Sequence, residues 1–308
     1  MTDYSYVGSG QIYLKEVGAL AGLLAIGNCS ALSLAIAEDV KELKDYTQAG
    51  GGTYNEVRRI GSVEATISAH DFSPENLSKA LFGTSTAIAA GAVTDEVVPA
   101  YAGALAPTLY QLDTAVLPLV DSQAGSAAAA RANTTAYALN VYLVPASANG
   151  FYYKVTTAGT SGGTLPTFPT TVGGTVADGT CVLTCMGKIS LVANTDFTYS
   201  GSGIVFTSDA RVTGGENYLV DYTKKAGNVI EALTSSAKEY ELVFEGLNEA
   251  RSGKPVTVHA YRVKLGAAQN LGLITEDFGV LEMTGKLLKD TSKTGNGISQ
   301  YFKVKVAA

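Results

Sequence analysis

The feature that most constrains the fold of this chain is a repeated alternation of apolar and polar residues. It begins in residues 30–40 (SALSLAIAEDV) and returns in residues 61–70 (GSVEATISAH). Side chains alternate between the two faces of a β-strand, so a period of two predicts strands with one buried face. Four more such segments follow, at residues 238–247, 255–266, 279–290 and 299–308. Together they predict a mainly β fold, an antiparallel β-sandwich or barrel.

One short helix is predicted beside these strands, at about residues 73–82. Ser73 is a favourable N-cap, and Pro74 suits the first turn because its missing N–H would be unbonded there in any case. Glu75 complements the positive end of the helix dipole, and Gly83 provides a stop signal.

The segment between the first two predicted strands, residues 41–60 (KELKDYTQAGGGTYNEVRRI), is rich in charge and in glycine. It predicts a loop of about twenty residues, far longer than a hairpin turn. A mobile tip and an arm that docks on a partner both fit this composition, and we favour the docking arm. A phosphate-binding loop is disfavoured, since no Gly-Lys-Ser or Gly-Lys-Thr follows the glycines.

Composition changes between residues 143 and 187, where Thr and Gly dominate and charged residues are few. Strand-like runs at 151–157 and 180–185 flank a stretch of turn-forming residues. This pattern predicts a small β module, residues 143–187, inserted into a discontinuous domain of residues 1–142 and 188–308. Such a short segment is marginal for an independent core, so we expect it to lean on the parent domain.

The net charge, the cysteines and the histidines narrow the classes of function that fit this sequence. A net charge of −6 disfavours stable nucleic-acid binding, and three cysteines with no export signal favour assembly in cytoplasm without disulfides. Cys181 and Cys185 lie four apart on one predicted strand, too far apart to pair, and are expected to be structural thiols rather than zinc ligands. His70 and His259 belong to no catalytic or metal motif, so neither an enzyme nor a cofactor is expected.

Several blocks of the sequence resemble the major tail tube proteins of long-tailed, siphovirus-like bacteriophages. The blocks are residues 26–32 (IGNCSAL), 41–46 (KELKDY), 50–54 (GGGTY), 57–60 (VRRI), 70–77 (HDFSPENL), 195–199 (TDFTY) and 203–205 (GIV), and the resemblance continues through the last seventy residues. Residues 143–187 fall outside it and are similar to small Thr/Gly-rich modules of phage virion proteins.

The resemblance implies a tail-tube fold whose copies form homo-hexameric rings that stack helically into a tube. The implied partners are a tape measure protein, a tail terminator, and baseplate or distal tail proteins. DNA would pass transiently through the lumen, and the chain would reside in the virion tail without inserting into a membrane. The resemblance assigns ring stacking to the predicted long loop, through Lys41, Asp45, Tyr46, Gly50, Gly51, Gly52, Tyr54, Arg58 and Arg59. The 143–187 module would project outward, since it would obstruct the channel.

Three acidic residues, Glu38, Glu42 and Glu64, occupy the strand ends and the polar face next to this loop. We expect them to contribute to an acidic inner or ring-facing surface that does not trap DNA, although an ordinary solvated face explains them as well. Two other classes of function stay open: a carbohydrate- or surface-binding β module, which the missing tryptophan disfavours, and an enzyme with a cryptic site.

Overall fold

The computed structural model describes residues 4–207 and 214–307 and separates the chain into two compact units. Unit 1 contains Met1–Thr86 and Asn228–Ala308, and unit 2 contains Ala87–Gly227. The predicted 143–187 module therefore lies wholly within unit 2, and the predicted discontinuous domain of residues 1–142 and 188–308 is divided between the two units.

The elements follow one another in three stretches. The chain begins with β1 (Gly8–Glu16), β2 (Leu24–Ala25), β3 (Cys29–Lys44), β4 (Thr53–Ala69), helix α1 (Pro74–Ala80) and β5 (Thr84–Ile88). It continues with β6 (Gly91–Ala100), β7 (Leu105–Pro107), β8 (Leu119–Ser122), helix α2 (Gln123–Ser126), β9 (Ala129–Ala130), β10 (Ala136–Tyr137), β11 (Tyr142–Val144), β12 (Phe151–Thr157), β13 (Gly159–Thr160), β14 (Thr175–Asp178), β15 (Cys181–Lys188), β16 (Ser190–Leu191), β17 (Phe197–Ser200), β18 (Gly203–Phe206) and β19 (Glu216–Lys224). It ends with β20 (Gly227–Glu231), β21 (Glu239–Asn248), a 3-10 turn (Glu249–Arg251), β22 (Lys254–Leu265), β23 (Leu281–Leu287) and β24 (Phe302–Val306).

Unit 1 is built on one antiparallel sheet in the order β2-β1-β21-β22-β23-β4-β3. Strand β22 pairs with β21 along one edge, while its other edge is shared end to end by β24 and β23. The alternation of the sequence buries one face of this sheet, as its residues Ile12, Ile67, Leu242, Val263 and Met283 show.

Helix α1 packs on this core, at the position that the sequence predicts. Ser73 accepts a hydrogen bond from the backbone N–H of Asn76, and the buried Asn76 amide donates to the Ile26 carbonyl at 2.7 Å. The helix ends at Ala80, and Phe82 rather than Gly83 takes the left-handed backbone conformation after it, with φ of 49°. Gly83 is needed for a different reason, since a Cβ there would lie 2.6 Å from the Glu231 carbonyl oxygen.

Unit 2 contains two separate cores. The first lies between the sheets β16-β8-β19-β6 and β17-β18-β7, where Phe197, Ile204 and Tyr218 are buried. The second belongs to the sheet β14-β15-β12-β11-β9 and contains Tyr153 and Leu183.

The second core marks an inserted segment that begins earlier than residue 143. Its sheet starts at β9 and ends with β15, and the Ser122 N–H donates to the Ile189 carbonyl at 2.6 Å, so the two ends of the segment are adjacent. The segment contacts its parent through α2, where the Gly125 N–H donates to the Ser122 Oγ at 3.1 Å. We define the insert as residues 123–188.

A buried ion pair lies inside the insert, whose apolar core is small. Asp178 accepts hydrogen bonds from the Arg131 Nε at 2.8 Å and Nη2 at 2.7 Å, and from the Gly162 N–H at 2.8 Å. Both charged side chains are 1% exposed. Cys181 and Cys185 are buried on β15 as free thiols, and burial raises the pKa of each.

The mainly β, antiparallel fold with little helix is confirmed, with two differences. The described strands do not form a closed barrel. The described residues also contain a second helix, the four-residue α2, in addition to α1. Among residues 4–207 and 214–307, no helix has both the length and the apolar character needed to cross a membrane.

The Arg131–Asp178 pair generates the first prediction. Replacing Asp178→Asn leaves the Arg131 charge buried without its counterion, so we expect the insert to lose about 3–5 kcal/mol of stability. Hydrogen exchange of the β12 and β15 amides would measure this loss. Glu16→Gln, which removes an exposed ion pair with Lys238, is the control and should cost less than about 1 kcal/mol.

The same pair predicts the direction of a pH effect. Hydrogen bonds from Arg131, and the Gly162 N–H, hold the pKa of Asp178 below its usual value against the opposing effect of burial. A lowered folded-state pKa means that the pair stabilises the insert at neutral pH and that this contribution is lost as the pH falls below about 4. Equal acid sensitivity of the wild-type and Asp178→Asn inserts would contradict this assignment.

Candidate assembly surface

Strands β3 and β4 form one long hairpin where a twenty-residue loop was predicted. Their ladder runs from Cys29 opposite Ala69 out to Lys44 opposite Thr53, so only residues 45–52 form the connecting loop. The prediction of a loop over residues 41–60 is therefore wrong for most of its length. The cause is that both faces of this part are solvent-exposed, so nothing requires the alternation that identifies a strand.

The hairpin has an inner part in the core and an outer part outside it. Leu32, Leu34 and Ile67 belong to the core or pack against it, whereas every residue from 35 to 61 except the half-buried Asp45 is exposed. We call residues 35–61 the outer hairpin. At about 3.3 Å per residue, its ten β3 residues extend roughly 30 Å.

A bulge at Gly61 sets which side chains share a face. Ala37 pairs with Ser62 and Glu38 with Ile60, so Gly61 is the extra residue and β4 changes its parity there. Side chains directly opposite each other in an antiparallel pair lie on the same face. The face that is buried in the inner part, which we call the core-side face, therefore continues outward with Ile36, Glu38, Val40, Glu42, Glu56, Arg58 and Ile60.

The core-side face combines charge with apolar surface. Arg58 donates to Glu38 at 3.2 Å and also to Glu56, and both carboxylates raise the pKa of its guanidinium. These exposed pairs contribute little stability. Ile60 beside them is 58% exposed and shares this face with the exposed Ile36 and Val40, so the three make a cluster of exposed apolar side chains.

The opposite face, which we call the polar-side face, has the same mixed character. Arg59 lies opposite Asp39, and Lys41 lies opposite Val57. Leu43, nearest the tip, is also largely exposed.

The predicted acidic set is divided between these faces. Glu38 and Glu42 share the core-side face, whereas Glu64 pairs opposite Ala35 on the polar-side face and lies 3.5 Å from Lys286. The three therefore do not share one face of the hairpin, because Glu38 and the Glu64 partner Ala35 lie on opposite faces of β3. Their role in an inner or ring-facing surface stays a prediction.

The tip of the hairpin is an ordered turn. Asp45 accepts hydrogen bonds from the hydroxyl and the N–H of Thr47, at 2.6 and 2.8 Å, and these lower its pKa. Gly50 has a φ of 95°, and a Cβ on Gly51 would lie 2.1 Å from the Asp45 carbonyl, so these two glycines are required by the turn itself. Gly52 accepts the backbone bond from Asp45 that closes the loop.

Two tyrosines complete the exposed surface of this region. Tyr46 is in the tip and Tyr54 is the extra residue of a second bulge, where Leu43 pairs with Asn55 and Lys44 with Thr53. Both rings are among the most exposed large side chains of the described residues. The structure thus gathers all nine predicted loop residues in the outer hairpin, on two faces and a tip.

Two strands of unit 1 also have an open edge. Within the described residues, β3 pairs only with β4 and β24 pairs only with β22, so each has an unpaired row of backbone donors and acceptors. Lys303 and Lys305 lie along β24, and charged side chains at an edge oppose uncontrolled pairing.

The histidines and cysteines do not form a site. The Nδ1 of His70 lies 3.0 Å from the Gly279 carbonyl, and the Nε2 of His259 lies 2.7 Å from Glu241. No three His, Cys, Asp or Glu residues in the described part of the chain form a group that could hold a metal ion. The outer hairpin and the open edges are therefore the features of unit 1 that most need a functional explanation.

The outer hairpin generates the second prediction. Glu38 and Ile60 are directly opposed, so replacing residues 39–59 by Asn-Gly should close a two-residue turn. Because the removed residues lie outside the core, we expect the stability of unit 1 to change by less than about 1 kcal/mol while self-association is lost. Denaturation and sedimentation velocity would measure the two effects, and a shortened protein that unfolds, or that associates like the wild type, would contradict the prediction.

Comparison with known proteins places the chain in a family. It matches the profile of the family described as Protein of unknown function UCP028589 over residues 5–149 and 174–305, and the unmatched residues 150–173 lie inside the insert. Comparison with curated proteins gives no match. Since the family profile covers well over half of the chain, this protein belongs to the family of unknown function UCP028589.

Proposed function

We propose that this protein is the repeating subunit of a bacteriophage tail tube, a structural virion protein rather than an enzyme. Copies would form hexameric rings that stack into a conduit for genome DNA. The observation that carries the proposal is the outer hairpin, a well-ordered β structure held outside the core with apolar side chains on both faces. In a monomer such a hairpin buries almost nothing, and it becomes useful when a second copy covers it.

The open edges of β3 and β24 support the same proposal. Backbone groups at an edge gain partners when another strand is added, and a ring of identical copies supplies one at every interface. The outer hairpin would then bridge successive rings, with Tyr46, Tyr54, Arg58 and Arg59 as its main contacts.

The charge of the chain fits a conduit for DNA. A net charge of −6 on every copy gives the assembled tube an acidic character, which favours passage over binding. Glu64, on the polar-side face, is our candidate for the lumen, and Glu38 and Glu42, on the core-side face, are candidates for the contact between rings. A tape measure protein inside the tube, a terminator and distal tail proteins at its ends would be the partners.

Negative-stain electron microscopy of the purified full-length chain tests the proposal. Tubes or rings of uniform width, at high protein concentration or after addition of preformed tube ends, are expected. Compact monomers under every one of these conditions would overturn it.

The acidic residues generate the third prediction. Reversing Glu38→Lys together with Glu42→Lys removes one of the two carboxylate partners of Arg58 and places like charges side by side on the core-side face, so we expect a much lower yield of tubes. Glu64→Lys is the matched control, because it changes a charge on the opposite face, and it should leave the yield near that of the wild type. Equal yields from both variants would show that the core-side face does not take part in stacking.

The insert generates the fourth prediction. Because Ser122 and Ile189 are hydrogen-bonded neighbours and the other core of unit 2 contains no residue of the insert, residues 123–188 can be replaced by Asn-Gly. If the insert projects outward from the tube, the shortened chain should still form tubes, with a smaller outer diameter. A folded shortened chain that forms no tubes would place the insert in the assembly interface instead.

A further inference from the structure

A second exposed apolar surface lies far along the chain from the outer hairpin. In the loop between β22 and β23, Leu273, Ile274 and Phe278 are 79%, 99% and 91% exposed. Glu276 and Asp277 lie between them, and neither belongs to an ion pair among the described residues. We call residues 273–278 the apolar knob.

The base of this loop is held in place. The Ala268 N–H donates to the Ala80 carbonyl at 2.7 Å, Leu271 packs against the core, and the Gly279 carbonyl lies 3.0 Å from the His70 ring. The loop therefore presents its three large apolar side chains from anchored ends. Clustered exposure of this kind indicates an interaction site.

A pocket in the same unit has the complementary character. It is lined by the apolar side chains of Leu24, Phe82 and Tyr240, and its volume is about 270 Å³. Its charged lining residues are Lys15, Glu16, Glu75, Lys79 and Lys238. This volume lies near the lower end of the range of about 300–1,000 Å³ that is usual for small-molecule sites, and it is enough for an aromatic side chain.

One lysine of the pocket, Lys79, has no ion-pair partner among the described residues. Lys238 pairs with Glu16 at 2.9 Å, but the Nζ of Lys79 has only the Glu75 carbonyl oxygen, at 3.4 Å, and belongs to no ion pair among the described residues. Burial lowers the pKa of Lys79 and the charge of Lys238 lowers it further, while Glu75 opposes them. A carboxylate brought to this rim would be favoured.

We propose that the apolar knob of one copy inserts Phe278 into this pocket of a second copy, with Asp277 or Glu276 meeting Lys79. Both halves of the contact are on this chain, and they agree in size, apolar character and charge. The knob and the pocket are different surfaces, so the contact is head-to-tail and each copy keeps one of each free for the next copy. That it is the lateral contact within a ring rests on the proposed function, whereas the contact itself does not.

The fifth prediction follows from Phe278. Phe278→Ser removes the inserted ring without touching the core, so self-association measured by sedimentation should weaken at least tenfold. Leu165→Ser is the control, since Leu165 is an exposed apolar residue of the insert, and it should associate like the wild type. Unchanged association of Phe278→Ser would overturn the inference.

Mixed cross-linking identifies the surfaces. Ser78 lines the pocket, so a mixture of Phe278→Cys and Ser78→Cys chains should form a disulfide between the two variants on oxidation. A mixture of Leu165→Cys and Ser78→Cys is the control. Disulfides confined to pairs of Phe278→Cys chains would indicate a symmetric dimer and overturn the head-to-tail contact.

The two proposals can be refuted independently. Cross-linking between the variants without any tubes would support the proposed contact and contradict the proposed tail tube. Tubes formed by Phe278→Ser at the wild-type yield would support the proposed tail tube and contradict the proposed contact.

Discussion

The backbone pairing of β3 with β4 is the interaction on which the rest of unit 1 depends. Its inner part adds β3 as an edge strand to β4, which itself pairs with β23 in the core sheet, and its outer part extends the same ladder beyond the core. An isolated hairpin is marginally stable in water, so the outer hairpin owes its order to the anchored inner strands. Because backbone hydrogen bonds rather than burial continue the structure outward, side chains on both faces are left free for other contacts.

Unit 2 accommodates the insert without disrupting the fold of the residues on either side of it. The ends of the insert meet at Ser122 and Ile189, where the parent ladder of β8 and β16 begins. The insert has too little apolar surface for a large core, and the bonded pair of Arg131 and Asp178 fixes its loops where packing cannot. Removing one partner of such a pair is strongly destabilising, whereas replacing both partners by apolar residues of similar volume often costs no stability. The pair therefore acts mainly as a constraint on geometry.

The sequence was informative wherever one face of an element is buried. The inner strands, the cap of α1 at Ser73 and the regular β15 with its two buried thiols follow from periodicity and capping, because burial imposes those patterns. The outer hairpin was missed since it buries neither face. Glu64 lies on a different face from Glu38 and Glu42 because its partner Ala35 differs from them in parity along β3. The insert was predicted to start too late because β9 and β10 are two residues each and the partner of Arg131 is 47 residues away. The apolar knob breaks the alternation of its neighbours, and its exposure depends on the tertiary anchors at its base.

Exposed apolar residues in unit 1 are placed beside charges, and this combination has a physical consequence. Ile60 lies next to Glu38 and Arg58, and Phe278 lies next to Asp277, so each apolar contact brings charges that must also be matched. Charges of this kind weaken non-specific association and reject wrong registers, as edge lysines do on β24. A single contact of this type is weak, and assembly becomes favourable only when one copy makes several at once. Under the proposed function, a chain with separate surfaces in the outer hairpin, the strand edges and the apolar knob would associate weakly when dilute and assemble cooperatively once a first ring presents all of these surfaces together.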